Sequence, residues 1–197
     1  KGLVDRRYPR PILVTGSSGY LGTLLVRHLA ESDAVQEVYG WDVRPPRETP
    51  RKLRFEQADV ADPALRARMT QLKPDALVHL AFVLTPSHDE DFMHRVNVTG
   101  TRNVLAAAEQ AGVRQIVVAS SGTAYGAFPD NPVPLRESDA CRPHATFQYA
   151  REKAWLERDY LRYQAAHPEV DFAILRPCVV YGPGVDNYLS LVDSLYA

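Results

Sequence analysis

Thr15-Gly16-Ser17-Ser18-Gly19-Tyr20-Leu21-Gly22 follows the apolar segment Ile12-Leu13-Val14 and runs into Leu24-Leu25-Val26-Arg27-His28-Leu29. A short buried strand that turns sharply into a helix is the reading this order dictates. Gly16 can take backbone angles that residues with a Cβ avoid. Gly19 leaves the main chain open to a pyrophosphate, Tyr20 and Leu21 start the helix, and its orphan N–H groups and positive dipole end supply an anion site. Gly22 lets helix and sheet pack closely. About 20 residues beyond Gly22, the second apolar stretch Val38-Tyr39-Gly40-Trp41 ends in Asp42, a carboxylate suited to the ribose hydroxyls of an adenosine. Arg44 beside it would welcome a 2′-phosphate, but Asp42 would repel one. The expected cofactor is therefore NAD, with NADP the lesser alternative.

Working outward, apolar runs suited to buried parallel strands recur at Ile12 to Thr15, Glu37 to Trp41, Ala76 to Leu80, Gln115 to Ala119 and Phe172 to Leu175, with a weaker one at Leu53 to Gln57. Helical patterns lie between them, at Tyr20 to Glu31, Pro63 to Leu72, Asp91 to Ala111 and Tyr149 to Ala166. Strand-helix alternation implies an α/β fold, a doubly wound parallel sheet with right-handed crossovers and its ligand crevice at the carboxyl ends of the strands. Asp62-Pro63 reads as a cap followed by a first helical residue, and Ala111-Gly112 as a glycine stop. The Pro-rich stretch Arg44 to Pro50 and the segment Gly126 to Thr146 read as surface loops. Residues 1–186 are expected to form one dinucleotide-binding domain, and 187–197 the start of a substrate-binding region that the chain does not complete.

With 197 residues, 45% apolar and 24% charged, the chain has the composition of a soluble globular protein with one full-sized core. A formal net charge of -1 gives no electrostatic reason to expect nucleic acid or an anionic membrane as partner. No apolar run approaches the roughly 18 residues of a membrane span, and Lys1 to Arg10 lack a secretory apolar stretch, so a cytoplasmic protein is expected. Cys141 and Cys178 are far apart and read as buried or incidental thiols. His28, His79, His88, His94, His144 and His167 show no ligand spacing, and no metal site is expected.

The strand ending in Ala119 runs into Ser120-Ser121, and a later helical segment carries Tyr149 with Lys153 four residues on. That spacing puts phenol and amine on one helical face. An ammonium held beside a phenol favours the phenolate and brings its pKa of about 10 down toward working pH. Ser121 would then hold a substrate oxygen while its carbon faces a nicotinamide. Tyr149 is the expected acid/base, Lys153 its tuner, which also reaches the ribose of a bound dinucleotide, and Ser121 the orienting hydroxyl; Tyr149 and Lys153 thus count among the expected cofactor-binding residues as well.

Taken in order, Thr15-Gly16-x-x-Gly19-x-x-Gly22, Asp42, Asp59-Val60, His79-Leu80-Ala81, Asn97-Val98-x-Gly100-Thr101, Ser120-Ser121, Tyr149-x-x-x-Lys153 and Arg176-Pro177 with Tyr181-Gly182-Pro183-Gly184 span nearly the whole chain. In these the chain resembles the extended short-chain dehydrogenase/reductase superfamily, the branch of NAD-dependent epimerases and dehydratases. The resemblance implies a Rossmann fold in which Asp59 and Val60 meet the adenine, Leu80, Ala81 and Phe82 line the cofactor path, and Asn97 supports the strand beside it. Ala119 joins the cofactor-binding positions, and Pro177 bounds the nicotinamide pocket. Ser121 is the implied substrate-orienting hydroxyl, with Gly122 beside it an expected substrate contact, and a homodimer is the implied assembly; Tyr125, in the loop expected to roof the crevice, is a further expected substrate contact, with plain packing the alternative.

Two departures narrow the chemistry. The family's 4,6-dehydratases carry an Asp-Glu pair where this chain has Gly122 and Thr123, so dehydration is not expected. Many nucleotide-sugar epimerases have a diphosphate-binding Asn where this chain has Val179, which weakens a UDP-sugar as substrate. The expected activity is hydride transfer at a secondary alcohol or ketone carbon of a small molecule, nucleotide-sugar epimerase-like, with a reductase or hydroxysteroid-type dehydrogenase on a more apolar substrate as the enzymatic alternative. A non-catalytic dinucleotide sensor is the alternative of another class. Trp155, Leu156, Tyr160 and Tyr163 are expected to form core or a dimer face, and His88-Asp89-Glu90-Asp91 to start a helix by favouring its positive end.

Overall fold

A computed structural model of the protein describes residues 11–83 and 89–185. Six strands form one parallel sheet in the order β3-β2-β1-β4-β5-β6, with β1 at Ile12–Thr15, β2 at Val38–Asp42, β3 at Leu53–Gln57, β4 at Ala76–His79, β5 at Gln115–Ala119 and β6 at Asp171–Leu175. The strand order reverses at β1, whose Thr15 lies opposite Trp41 on one side and His79 on the other. That reversal opens a crevice beyond the carboxyl ends of β1 and β4.

The helices are α1 (Tyr20–Glu31), α2 (Leu65–Leu72), α3 (Glu90–His94), α4 (Thr101–Ala111) and α5 (Gln148–Ala166). Leu13, Leu77, Ile116 and Val118 on one sheet face pack with Leu65 and Met69 of α2, Val104 and Ala108 of α4, and Leu156 and Tyr160 of α5. On the other face Ile12, Val14, Val38 and Leu53 pack with Val26 of α1. Burying each of these larger side chains is worth about 1.5–3 kcal/mol, so the paired faces fix which way every strand is turned.

Several boundaries move from those expected. Strand β2 is displaced by one residue because its pairing with β3 runs from Val38↔Leu53 to Asp42↔Gln57. Strand β4 ends at His79, where Leu80 and Ala81 turn to meet the glycine turn: a Cβ on Gly16 would lie 2.5 Å from Ala81 N. Asp62-Pro63 form a turn ahead of α2 rather than its first residues, since Asp62 Oδ1 accepts from Ala64 N at 2.9 Å and its carbonyl accepts from Leu65 N.

The single helix expected over Asp91 to Ala111 is three pieces, α3, a π-helical turn at Arg95–Gly100, and α4. Asn97, fully buried in that turn, has its side chain directed inward, and Gly100 lets the turn approach Val60, whose Cγ2 would lie 2.7 Å from an added Cβ. Gly112 does stop α4, in the left-handed conformation at φ 71°. Asp89 caps α3 by accepting from Phe92 N at 2.8 Å, while His88 lies outside the described residues, as do Lys1 to Arg10 and residues 187–197. Leu156, Tyr160 and Tyr163 join the core, but Trp155 stands 37% exposed beside His94. Among the described residues no helix is long and apolar enough to cross a membrane.

Candidate active site

Each strand delivers residues of the predicted site at or just beyond its carboxyl end. After β1, Gly16 adopts φ +73°, and α1 begins at Gly19 with no side-chain cap and no acidic residue in its first turn. An uncapped helix start of this kind carries unsatisfied N–H groups and a positive dipole end, which suits a pyrophosphate. A Cβ on Gly22 would lie 2.1 Å from Gly16 O and 2.8 Å from Ser17 Cα. Gly22→Ala is therefore expected to push α1 off the glycine turn and weaken NAD binding roughly tenfold or more, about 1.4 kcal/mol, in a calorimetric titration. Unchanged affinity would remove the anion-site reading of this turn.

Asp42, only 9% exposed at the end of β2, accepts from Ser18 N and Arg44 N, each at 3.0 Å. Those two N–H groups fix the carboxylate at the rim of the crevice. Arg44 itself is exposed, and its carbonyl accepts from Ser18 Oγ at 2.7 Å. Its contribution to the rim is thus main-chain. Beyond β3, Asp59 accepts from Ala61 N at 2.9 Å and pairs with Arg95 at 3.0 Å, and Val60 packs against Gly100, so both side chains are committed to the protein.

Past β4 the chain runs through Leu80, Ala81 and Phe82, all half-buried. Asn97 is 0% exposed, and its Oδ1 accepts from Val83 N at 2.7 Å. It therefore acts on the crevice through that backbone, not by presenting its own amide. His79 closes β4, also buried, with Thr15 Oγ1 2.6 Å from Nδ1 and Thr101 Oγ1 2.9 Å from Nε2. Burial, helped by the nearby Lys153 charge, pulls its pKa down to about 3 and keeps the imidazole neutral.

Ser121, Tyr149 and Lys153 converge beyond β5. Ser121 starts the 3₁₀ turn Gly122–Tyr125, its Oγ accepting from Thr123 N at 3.2 Å and Thr123 Oγ1 at 3.0 Å, and its hydroxyl is near enough to the Tyr149 phenol to favour the phenolate. Lys153, 3% exposed, donates from Nζ to Ala119 O at 2.7 Å and lies 3.4 Å from the centroid of the Phe82 ring. Its pKa falls to about 7 because burial outweighs the attraction of Glu152 and Glu157. Gly122 N donates to Pro177 O at 2.9 Å, which ties the serine turn to the segment after β6.

One expectation is corrected here. Lys153 does not bring the phenol down: burial holds Tyr149 above its ordinary value, with the Ser121 hydroxyl opposing, and Lys153 Nζ is 5.7 Å from the phenol ring centroid. The amine is engaged by Ala119 and Phe82 and is itself driven toward neutrality, so further positive charge in the crevice is needed to favour a phenolate.

Tyr125 is a second correction. It is 7% exposed, and its hydroxyl donates to Arg136 O at 3.1 Å and accepts from Arg176 Nη1 at 2.7 Å, which fixes the loop and leaves no side chain for a substrate to meet. Arg176 also grips Glu157 with bonds of 2.6 and 2.7 Å, a bidentate pair that joins β6 to α5. The thiols divide: Cys141 is half-buried, whereas Cys178 is exposed and lies beside Gly122.

Thr123 and the pairing of Glu157 with Arg176 escape sequence reasoning. The Ser-x-Thr spacing at a turn start was a usable signal for Thr123. Nothing in the spacing of 157 and 176 predicts contact, because β6 must first be paired with β5.

Known proteins share this arrangement. The profile of the NAD dependent epimerase/dehydratase family matches residues 12–196. A UDP-glucose 4-epimerase of Mycolicibacterium smegmatis is 32% identical over 188 residues, covering 89% of this chain and 58% of that protein. Among solved structures, the Bordetella bronchiseptica enzyme WbmH in complex with NAD+ superposes with a TM-score of 0.81 at 26% identity, over 95% of this chain and 62% of that one. The Thermus thermophilus UDP-glucose 4-epimerase complex with NAD gives 0.76 at 28% identity, over 89% and 57%. The chain spans about half the length of the curated relatives it matches, at 51% to 58% for the mycobacterial proteins. The profile match, the six-stranded parallel sheet and the glycine turn agree, and the chain belongs to the NAD dependent epimerase/dehydratase family.

Proposed function

We propose that this chain is the cofactor-binding and catalytic part of an NAD-dependent enzyme that acts at a secondary alcohol or ketone carbon, with a nucleotide sugar as the substrate class. The observation that carries the reading is the convergence beyond β5 of Ser121 with Tyr149 and the buried Lys153, whose Nζ lies 5.7 Å from the phenol ring centroid and donates to Ala119 O at 2.7 Å. The residues fit NAD. Gly16, Gly19, Tyr20, Leu21 and Gly22 hold its pyrophosphate, Asp42 its adenosine ribose, with Asp59 and Val60 bounding the adenine. Leu80, Ala81, Phe82, Ala119 and Pro177 wall the nicotinamide side. A carboxylate fixed at the end of β2 repels a 2′-phosphate, which favours NAD over NADP.

When bound, oxidised NAD supplies a hydride acceptor and a positive charge. The phenol of Tyr149, faced by the Ser121 hydroxyl, takes the substrate hydroxyl proton and later returns it. Lys153, anchored on Ala119 O, supplies positive charge to the same pocket while protonated, that is below about pH 7. Ser121 and Gly122 orient the substrate oxygen. The same residues would serve either an epimerase or a dehydrogenase, since both need the substrate oxygen held and its proton moved at Tyr149. A homodimer in the cytoplasm, paired through α5 where Trp155 is exposed, completes the reading.

Val179 and Tyr181, 55% and 64% exposed beyond Pro177, favour a second reading, reduction of a more apolar ketone. A putative dihydroflavonol 4-reductase of Synechocystis is 30% identical over 86% of this chain, which supports it. The test is incubation of the protein and NAD with UDP-glucose and UDP-galactose, with products resolved by NMR and absorbance followed at 340 nm. Interconversion of epimers without net absorbance supports the epimerase. Net NADH formation points to a dehydrogenase, and NAD binding with neither to a sensor.

A further inference from the structure

Glu152 takes no part in the chemistry proposed above, yet it is a fully buried carboxylate adjacent in sequence to Lys153. Such a group persists only where donors satisfy it. Its Oε2 accepts from Asn97 Nδ2 at 2.7 Å and its Oε1 from Gln148 Nε2 at 3.1 Å, with His94 Nδ1 3.6 Å away. Asn97 faces the other way with its carbonyl: Oδ1 accepts from Val83 N at 2.7 Å, and Nδ2 lies 3.3 Å from Val83 O. A carboxylate only accepts, so it forces the Asn97 amide nitrogen toward α5 and leaves the amide oxygen for Val83. A flipped amide would set oxygen against oxygen and N–H against N–H.

The backbone supplies an independent observation. Asn97 lies in the π-helical turn Arg95–Gly100, and single π turns recur at functional sites because the extra residue redirects a side chain. Here the redirected side chain bridges α5 and the segment leaving β4. Val83 adjoins Phe82, whose ring lies under Lys153 Nζ at 3.4 Å and meets the Tyr149 ring edge-on at a centroid distance of 5.5 Å. The contacts close a ring from Glu152 through Asn97, Val83 and Phe82 back to Lys153.

We propose that Glu152 is a positioning residue that, by orienting Asn97, fixes the Ala81–Val83 segment and with it the wall against which NAD, Tyr149 and Lys153 are held. The proposal rests on the NAD-binding reading of the crevice and extends it to an unspecified position of the Tyr149-x-x-x-Lys153 motif.

The experiment is calorimetric titration of NAD, with melting temperature on the same samples, for the wild type, Asn97→Asp, Glu152→Gln and the double variant. Asn97→Asp sets two carboxylates face to face. In the double variant the amide introduced at 152 donates to the carboxylate introduced at 97, whose other oxygen still accepts from Val83 N. Expected is a loss of NAD affinity of roughly tenfold or more for Asn97→Asp, with recovery to within about threefold of wild type in the double variant. No recovery, or no loss in the single variant, overturns the proposal, as does a pair that shifts melting temperature alone. If Asn97→Asp does not fold, Glu152→Met removes the acceptor at similar volume, and unchanged NAD affinity there is equally fatal. A wild-type protein that binds no NAD would sink the cofactor reading itself, a different result from failed recovery.

Discussion

Tyr149→Phe is expected to lower turnover by about 10²–10⁴-fold, the range for loss of a positioned acid/base group, while NAD affinity and melting temperature stay near wild type. The substitution removes one oxygen from a half-buried ring that keeps its edge-on contact with Phe82 and its tilted contact with Phe147. What it loses is the phenol oxygen that the Ser121 hydroxyl faces. Because burial holds this phenol above its ordinary pKa and no effect of Lys153 offsets it, turnover should rise with pH as the phenolate becomes accessible. A rate measured over pH 6 to 10 for both proteins checks this. A variant as fast as wild type, with the same profile, would exclude Tyr149 as the proton carrier.

The second large effect is on stability in mild acid, and His79 is its source. Its folded pKa of about 3 lies below the ordinary value of 6.5, so the folded state binds fewer protons than the unfolded chain between those limits. The contribution is fully present above pH 6.5 and is lost as pH falls toward 3. At about 1.4 kcal/mol per unit, that is roughly 3 kcal/mol between pH 6.5 and 4.5 and on the order of 5 kcal/mol over the whole window. The physical origin is an imidazole pinned between Thr15 and Thr101 under the sheet, with the charged Lys153 nearby. Urea unfolding at pH 7 and 4.5 should show a clear midpoint drop in wild type and a flatter response in His79→Gln, whose amide can still donate to one threonine and accept from the other. Equal slopes in the two proteins would assign the acid sensitivity elsewhere.

The two effects share one cause. The site is built at the carboxyl ends of buried strands, where main-chain carbonyls such as Ala119 O must be capped and side chains such as His79 cannot reach water. The same burial that keeps an imidazole neutral drives Lys153 toward neutrality and raises the phenol. The candidate site residues are held by packing at the expense of their charged states.

How much of this was legible beforehand follows from the range of the forces involved. The glycine turn, the strand ending in Asp42, the Ser120-Ser121 pair and Tyr149 with Lys153 are local patterns, set by backbone sterics, strand burial and the 3.6-residue helical period. They determined the fold class and the strands to within a residue. Tertiary structure alone decided what those side chains do on arrival. Lys153 is turned onto Ala119 and Phe82, Tyr125 is tied up by Arg136 and Arg176, and Asn97 is swung inward by a π turn that an apolar periodicity cannot distinguish from an α-helix. The bonds of Glu152 to Asn97 and of Glu157 to Arg176 join residues 55 and 19 positions apart. Such contacts exist only once β4, β5 and β6 are aligned and α5 is laid across them, because burial and dielectric, which set the proton affinities of Tyr149, Lys153 and His79, belong to the packed structure and not to any segment of the chain.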